Sequence, residues 1–278
     1  CIVLPLRTTM SGKFTHYLIT RFNVPVKNWD RDKAGKPVLD AAWMQERLVL
    51  FRKYCAPTIR HQQCNDFIWM VYCDQLTEAK DLETIRQEVS RVKNAQVRLV
   101  ADFPDLLIDL KEVLTDAPTP FVITSRVDND DGLGPDFIRE VQDHFVARDK
   151  QIINFTKGVL YDTHRQVLTE IRDSRFNHYG SLIEESVPGQ PLITVVGYPH
   201  GRPPEGSNVT DVDSRFAWLK IIHERNMSSR TNGMPLLELD IPMRFGLQPG
   251  DLPQSLTSTA VFVLHRLLSR LKRKLFKA

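Results

Sequence analysis

The chain has 278 residues, 42% hydrophobic and 26% charged, which suits a soluble globular protein with one large α/β domain or two small ones. Its net charge of +3 is unevenly spread: residues 256–278 carry Arg266, Arg270, Lys272, Arg273, Lys274 and Lys277 and no acidic residue. The body is therefore mildly acidic, which excludes a globally basic nucleic-acid binder. No run approaches the roughly 20 apolar residues of a bilayer span, and the opening CIVLPL is too short for a signal peptide.

In chain order, Tyr17, Leu18 and Ile19 within HYLITRFNV read as a short apolar strand, with Thr20, Arg21, Phe22 and Asn23 at its end. Residues 25–37 read as a loop. Apolar residues at Trp43, Met44, Leu48, Leu50 and Phe51 predict an amphipathic helix over 41–54, stopped before Pro57. The continuous run FIWMVY predicts a central parallel strand that ends at Cys73 and Asp74. A helix over 78–92, a strand over 96–101 and a helix over 105–114 follow. Strands alternating with helices imply a mostly parallel sheet with right-handed crossovers, whose ligands collect at the carboxyl ends of the strands. Arg21, Asp74, Arg98 and Asp128 lie at or near such ends.

The stretch that carries chemistry is PFVITSRVDNDDGLGPDF, residues 120–137. The apolar run Phe121–Ile123 leads into Arg126, Asp128, Asn129, Asp130 and Asp131, and Gly132, Gly134 and Pro135 break the chain before a helix over 136–145. Crowded carboxylates repel one another unless a cation sits among them, and hard oxygen ligands suit Mg²⁺ or Mn²⁺. An ordinary solvated Asp/Asn turn is the alternative.

Beyond residue 150 the pattern changes. Residues 151–160 read as a strand broken at Gly158, with 167–171 as a hairpin partner. Residues 176–185 bring Asn177, His178, Tyr179, Glu184 and Glu185 together. An apolar run over 193–198 precedes a loop with His200 and Arg202, and 216–222 precedes His223, Glu224, Arg225 and Asn226. Residues 231–255 read as an irregular linker. In 256–278, Val261, Leu264, Leu268, Leu271 and Leu275 form one stripe widened by Leu267, with basic residues beside and opposite. Such a basic amphipathic helix lies on an anionic membrane surface or packs on its own domain or a second copy.

HYLITRFNV, FIWMVYCD, SRVDNDDGL and WLKIIHERN resemble a bacterial family described as rhamnosyltransferases, with a glycosyltransferase A-type fold. The resemblance spans roughly residues 15–230, which makes 1–230 the catalytic domain, with a nucleotide-sugar half over 15–150 and an acceptor half over 151–230. It implies transfer of a sugar from a nucleotide diphosphate donor to a glycan or lipid-linked acceptor. In such an enzyme Asp128 and Asp130 would hold the metal with His223 as third ligand, unless His223 is a core histidine. Thr20, Arg21, Asp74 and Arg126 would bind the nucleotide. Arg21 and Arg126 would clamp phosphates if they are not paired with neighbouring carboxylates. Asp74 would reach base or ribose, or else cap a turn. An inverting reaction needs a general base; among Glu184, Glu185, Asp211 and Asp213, Glu184 is preferred over a simple solvated glutamate. A non-catalytic nucleotide- or carbohydrate-binding module on the same fold is the second reading. A phosphotransferase is disfavoured because no Walker loop is present. Cys1, Cys55, Cys64 and Cys73 form no CxxC pair, so free thiols in a cytoplasmic protein, peripheral on the inner face of the membrane if the tail binds it, are expected.

Overall fold

A computed structural model describes residues 12–275 except 28, 30, 33–34, 116 and 227–230, with side chains in the last helix as far as residue 268. The expected domain start over 1–11 and the final three residues lie outside the described residues.

Strand β1 (Phe14–Arg21) leads through a loop to α1 (Ala41–Leu50), where the Asp40 carboxylate accepts from the Trp43 amide at 2.7 Å and caps the helix. The helix does not stop before Pro57. It continues through a π-helical turn (Phe51–Cys55) into α2 (Ala56–Arg60), with Pro57 in the first turn of α2. Then come β2 (Ile68–Asp74), α3 (Ala79–Val89), β3 (Ala95–Val100), α4 (Phe103–Thr115), β4 (Phe121–Arg126), β5 (Gly132–Leu133) and α5 (Phe137–Asp143). The second half holds β6 (Gln151–Phe155), β7 (Gly158–Asp162), β8 (Val167–Ile171), β9 (Ser181–Glu185), β10 (Asn208–Val212), β11 (Trp218–Ile222), β12 (Met234–Pro235), α6 (Ile241–Arg244) and α7 (Leu256–Leu275).

The main sheet has the order β10-β6-β9-β4-β1-β2-β3. It is the expected mostly parallel α/β sheet, with β9 running against both its neighbours. Its central strands are apolar on both faces because both faces are covered. Leu18, Phe22, Trp69 and Ile123 pack against α1, the π turn and α5 on one side. Tyr17, Ile19, Met70 and Val122 pack against Leu106, Leu110 and Leu114 of α4 on the other.

A second sheet, β12-β8-β7-β11-β5, contains the expected hairpin, β7–β8. Gly158 starts β7 rather than breaking a strand, because any Cβ there would lie 2.1 Å from the Trp218 ring. Residues 231–255, expected as an irregular linker, hold the short β12 and α6 and pack on this sheet. Met234 and Pro235 pair with β8, and Leu236, Ile241, Phe245, Leu247 and Leu252 are buried with Val159, Tyr161 and Leu219. The first turn of α7 is tied down by Thr259, which is buried, while Val261, Leu264, Leu267 and Leu268 are exposed. No helix among the described residues is long and apolar enough to cross a membrane.

Candidate active site

The acidic turn bridges the two sheets. At its start Val127 donates to the Ile19 carbonyl at 3.1 Å, and at its end β5 pairs with β11, Leu133 opposite Trp218. Between these anchors the four side chains go to four different places. Asn129 donates to the Phe22 carbonyl at 2.6 Å and so ties the turn to the end of β1. Asp130 is buried, ion-paired with Arg47 from α1, and accepts from His223 Nε2 at 2.8 Å. Burial alone would raise the Asp130 carboxyl, but Arg47 and His223 outweigh it and hold it well below the usual carboxylate range. Asp131 is also buried; it accepts from the Ile221 amide at 2.8 Å, the Tyr179 hydroxyl at 2.7 Å and His178 Nε2 at 3.1 Å. Burial is the main reason its carboxyl is pushed up. Asp128 alone of the three carboxylates has no side-chain hydrogen bond or ion pair among the described residues, and it is partly exposed.

Two guanidinium groups face this opening without carboxylate partners among the described residues. Arg126, at the end of β4, gives its Nε proton to the His178 carbonyl at 2.8 Å. Its pKa is lowered chiefly by burial, with the Arg21 charge adding to the effect. Arg21, at the end of β1, lies over Trp29 and Phe103 at 5.0 and 5.5 Å. The ion pairs weighed from the sequence for these two arginines are not formed with any of the described residues.

The other expected site residues are placed differently. Thr20 is fully buried on the opposite face from Arg21, where its hydroxyl accepts from Trp69 Nε1 at 3.0 Å. Asp74 caps a turn, accepting from the Leu76 amide at 2.8 Å, the alternative already considered. Arg98 pairs with Asp109 of α4 instead of facing the cleft. His223 is brought to Asp130 as expected, but Arg47 shares the same carboxylate oxygen. Glu184 is buried and pairs with Val122, four residues below Arg126 on β4, or about 13 Å at roughly 3.3 Å per residue. Both its oxygens are engaged by backbone amides, Ile193 at 2.6 Å and Thr194 at 2.9 Å. Burial raises its pKa in spite of those two donors. Among the other acids, Asp211 accepts from Asn154 at 2.7 Å and Asp213 pairs with Lys157.

The sequence reading named Asp131, His178 and Tyr179 without giving them a role, and it missed Arg47. Asp128, Asp131 and His178 can bring one ligand atom each within 4.8 Å of one another, a set of two carboxylate oxygens and an imidazole nitrogen. Asp131 stood in the acidic run, and His178 stood beside a tyrosine in a segment already singled out; Arg47 looked like the polar face of a helix.

The sequence matches the family model described as "Putative rhamnosyl transferase" over residues 15–235. No curated protein sequence matches it. Among solved structures it is similar to TarS 1–349 of S. aureus, with a TM-score of 0.42 and 10% identity over 75% of this chain and 60% of that one. The complex of TarS 1–349 with UDP-GlcNAc gives 0.42 and 11% over 79% and 62%, and the complex with UDP gives 0.41 and 10% over 76% and 60%. The chain thus spans about three-fifths of the length of those structures. The family match takes in the acidic turn and nearly all of both sheets, and the chain belongs to this family of rhamnosyl transferases.

Proposed function

We propose that the chain is a metal-dependent glycosyltransferase that moves a sugar, rhamnose if the family description holds, from a nucleotide diphosphate donor to a hydroxyl of a glycan or lipid-linked glycan. The observation that carries this reading is the meeting of Arg21, Arg126 and the unpartnered Asp128 at the carboxyl edge of the main sheet. Two guanidiniums without carboxylates match the oxygens of a diphosphate. Family membership supplies the reaction class.

The donor set suits a divalent cation, and of the two candidates Mn²⁺ accepts an imidazole more readily than Mg²⁺. Asp128, Asp131 and His178 would hold it. Bound there, the metal would act as a Lewis acid that neutralises charge on the leaving diphosphate. Asp130 and His223 are less suited, since the Arg47 guanidinium already occupies that carboxylate and would repel a second cation. They would instead hold the turn in place, and Glu184 would fix the 193–194 backbone rather than accept a proton.

Isothermal titration of the full chain with UDP and dTDP, with and without Mn²⁺, followed by donor-hydrolysis assays, tests the reading. Tight binding that needs the metal, with hydrolysis of one nucleotide sugar, is expected. Binding without any turnover would favour the non-catalytic module, and full activity in EDTA would remove the metal from the proposal.

The tail supports a membrane-associated acceptor. The exposed stripe Val261, Leu264, Leu267 and Leu268 has no cover among the described residues, and the same helix carries Arg266, Arg270, Lys272, Arg273 and Lys274. Each basic residue near an anionic surface contributes about 1 kcal/mol. Co-sedimentation with phosphatidylglycerol vesicles should retain the full chain, less so in high salt, and release a version that ends at Ser255.

A further inference from the structure

The helix α7 is packed inside out. A surface helix normally turns its apolar stripe to the protein and its polar residues to water. Over residues 255–268 the least exposed positions are Ser255, Ser258, Thr259, Phe262 and Arg266, spaced three or four apart along one face. All but Phe262 are polar. That face is fastened to the body: the Ser255 amide donates to the Gln166 carbonyl at 2.9 Å, and Arg266 donates to the Gly233 carbonyl while lying over the Phe262 ring. The apolar residues Leu256, Val261, Leu264, Leu267 and Leu268 are all exposed, Leu264 by 57%.

The segment 233–239 continues this outward surface. Gln254, just before α7, donates through Nε2 to the Glu238 carbonyl at 3.1 Å, and Arg266 reaches Gly233. Between these two ties lie about 18 Å of helix on one side and about 17 Å of extended chain on the other. The lengths match, so the segment runs antiparallel beside the first turns of α7. Leu236 points inward and is buried with Phe245 and Leu252. Met234, Leu237 and Leu239 are exposed, Leu239 by 81%. Half of the large exposed apolar side chains among the described residues fall within 234–268, so this surface is concentrated on one helix and the strand of chain beside it.

An apolar face of that extent is a docking surface, and charge selects its partner. Residues 256–278 hold six Lys and Arg and no acidic residue. Two copies related by a twofold axis would set those cations against one another, whereas an anionic lipid surface attracts them. We propose that Met234, Leu237 and Leu239 enter an anionic bilayer beside the outward stripe of α7, as one face. The ties at Gln254 and Arg266 make that face part of the catalytic body, so the bilayer holds the body in one orientation rather than on a tether. The inference rests on the membrane reading of the tail and adds a second element to it, outside the helix.

Co-sedimentation of the full chain and its point variants with vesicles tests it. The wild type should bind phosphatidylglycerol vesicles and not phosphatidylcholine vesicles. Leu239→Glu and Leu264→Glu should each lower the partition coefficient about tenfold or more, because each withdraws a leucine from the lipid and adds a charge of the lipid's own sign. Both positions are exposed, so the melting temperature should stay that of the wild type. Ile108→Glu, at a comparably exposed position on α4, should bind as the wild type does. Loss of binding in Leu264→Glu with none in Leu239→Glu would overturn the two-part face and leave the tail reading standing. Equal losses in all three variants would reduce the effect to net charge and overturn it as well. A wild type that binds no vesicle would sink the tail reading with it. A dimer in light scattering that Leu264→Glu dissolves, without vesicle binding, would assign the face to a second copy instead.

Discussion

Asp128 and Asp130 are two residues apart in one turn and differ in almost everything that matters. Asp130 looks towards the small sheet and is taken up by Arg47 and His223, from positions 83 residues before it and 93 after. Asp128 looks the other way, towards arginines that have no carboxylate partner among the described residues. One carboxylate has been spent on holding the two sheets together and the other has been kept in reserve. The same division runs through the arginines, since Arg47 and Arg225 are locked into acids while Arg21 and Arg126 are not.

The sharpest way to break this comparison is Asp130→Asn. It leaves Arg47 and His223 facing a neutral amide in a buried site, so the unfolding free energy in urea should fall by about 3–5 kcal/mol. A melting temperature equal to that of the wild type would show that Asp130 locks nothing. Asp128→Asn should do the reverse. Stability should stay within about 0.5 kcal/mol of the wild type, while transfer falls about 10²–10³-fold, as when one stabilising group is removed from a charge-gathering transition state. A stability loss without a rate loss would exchange the roles of the two aspartates.

Arg126→Gln carries the comparison to the arginines. Loss of a charged hydrogen bond to phosphate, about 1.5–3 kcal/mol, should weaken UDP binding by roughly 10- to 100-fold in titration calorimetry. Binding unchanged would mean that Arg126 serves another group. Glu184→Gln comes next in size. It leaves one of two buried amides without an acceptor, worth about 1–3 kcal/mol. The loss should appear in stability and as a raised acceptor KM, with kcat nearly kept. A large fall in kcat with KM intact would restore Glu184 as the base.

An effect of pH lies beneath the turn. His16 is fully buried and Gln142 Nε2 donates to its Nδ1, so His16 Nε2 carries the proton and donates to Ser125 at 2.8 Å. Burial pushes its pKa from 6.5 down to about 3. The unfolded chain therefore takes up the proton first, and stability present above pH 6.5 is lost as the pH falls towards 3. The slope should approach about 1.4 kcal/mol per pH unit in that window. His16→Gln should flatten it; an unchanged slope would place the acid sensitivity elsewhere.

Much of this protein was legible in the chain itself. The alternation of apolar strands with amphipathic helices over residues 14–145 specifies a mostly parallel sheet, because each strand must be covered on both faces. The run from Phe121 to Asp131 marks the end of the strand where polar chemistry collects. Those are local patterns, and local patterns survive in a string of letters. What the sequence could not say was which acid in SRVDNDDGL would be free. That depended on a helix residue at 47, a strand end at 223 and a His–Tyr pair at 178–179, all brought in by sheet topology. Glu184 shows the same limit: SLIEES beside an aromatic stretch reads as an acceptor-side base, but β9 runs against β4 and carries Glu184 to the far end of that strand. The order of elements follows from periodicity, whereas the assignment of each charge to a lock or to the cleft is decided only when distant segments meet and spend, or leave unspent, each buried donor and acceptor.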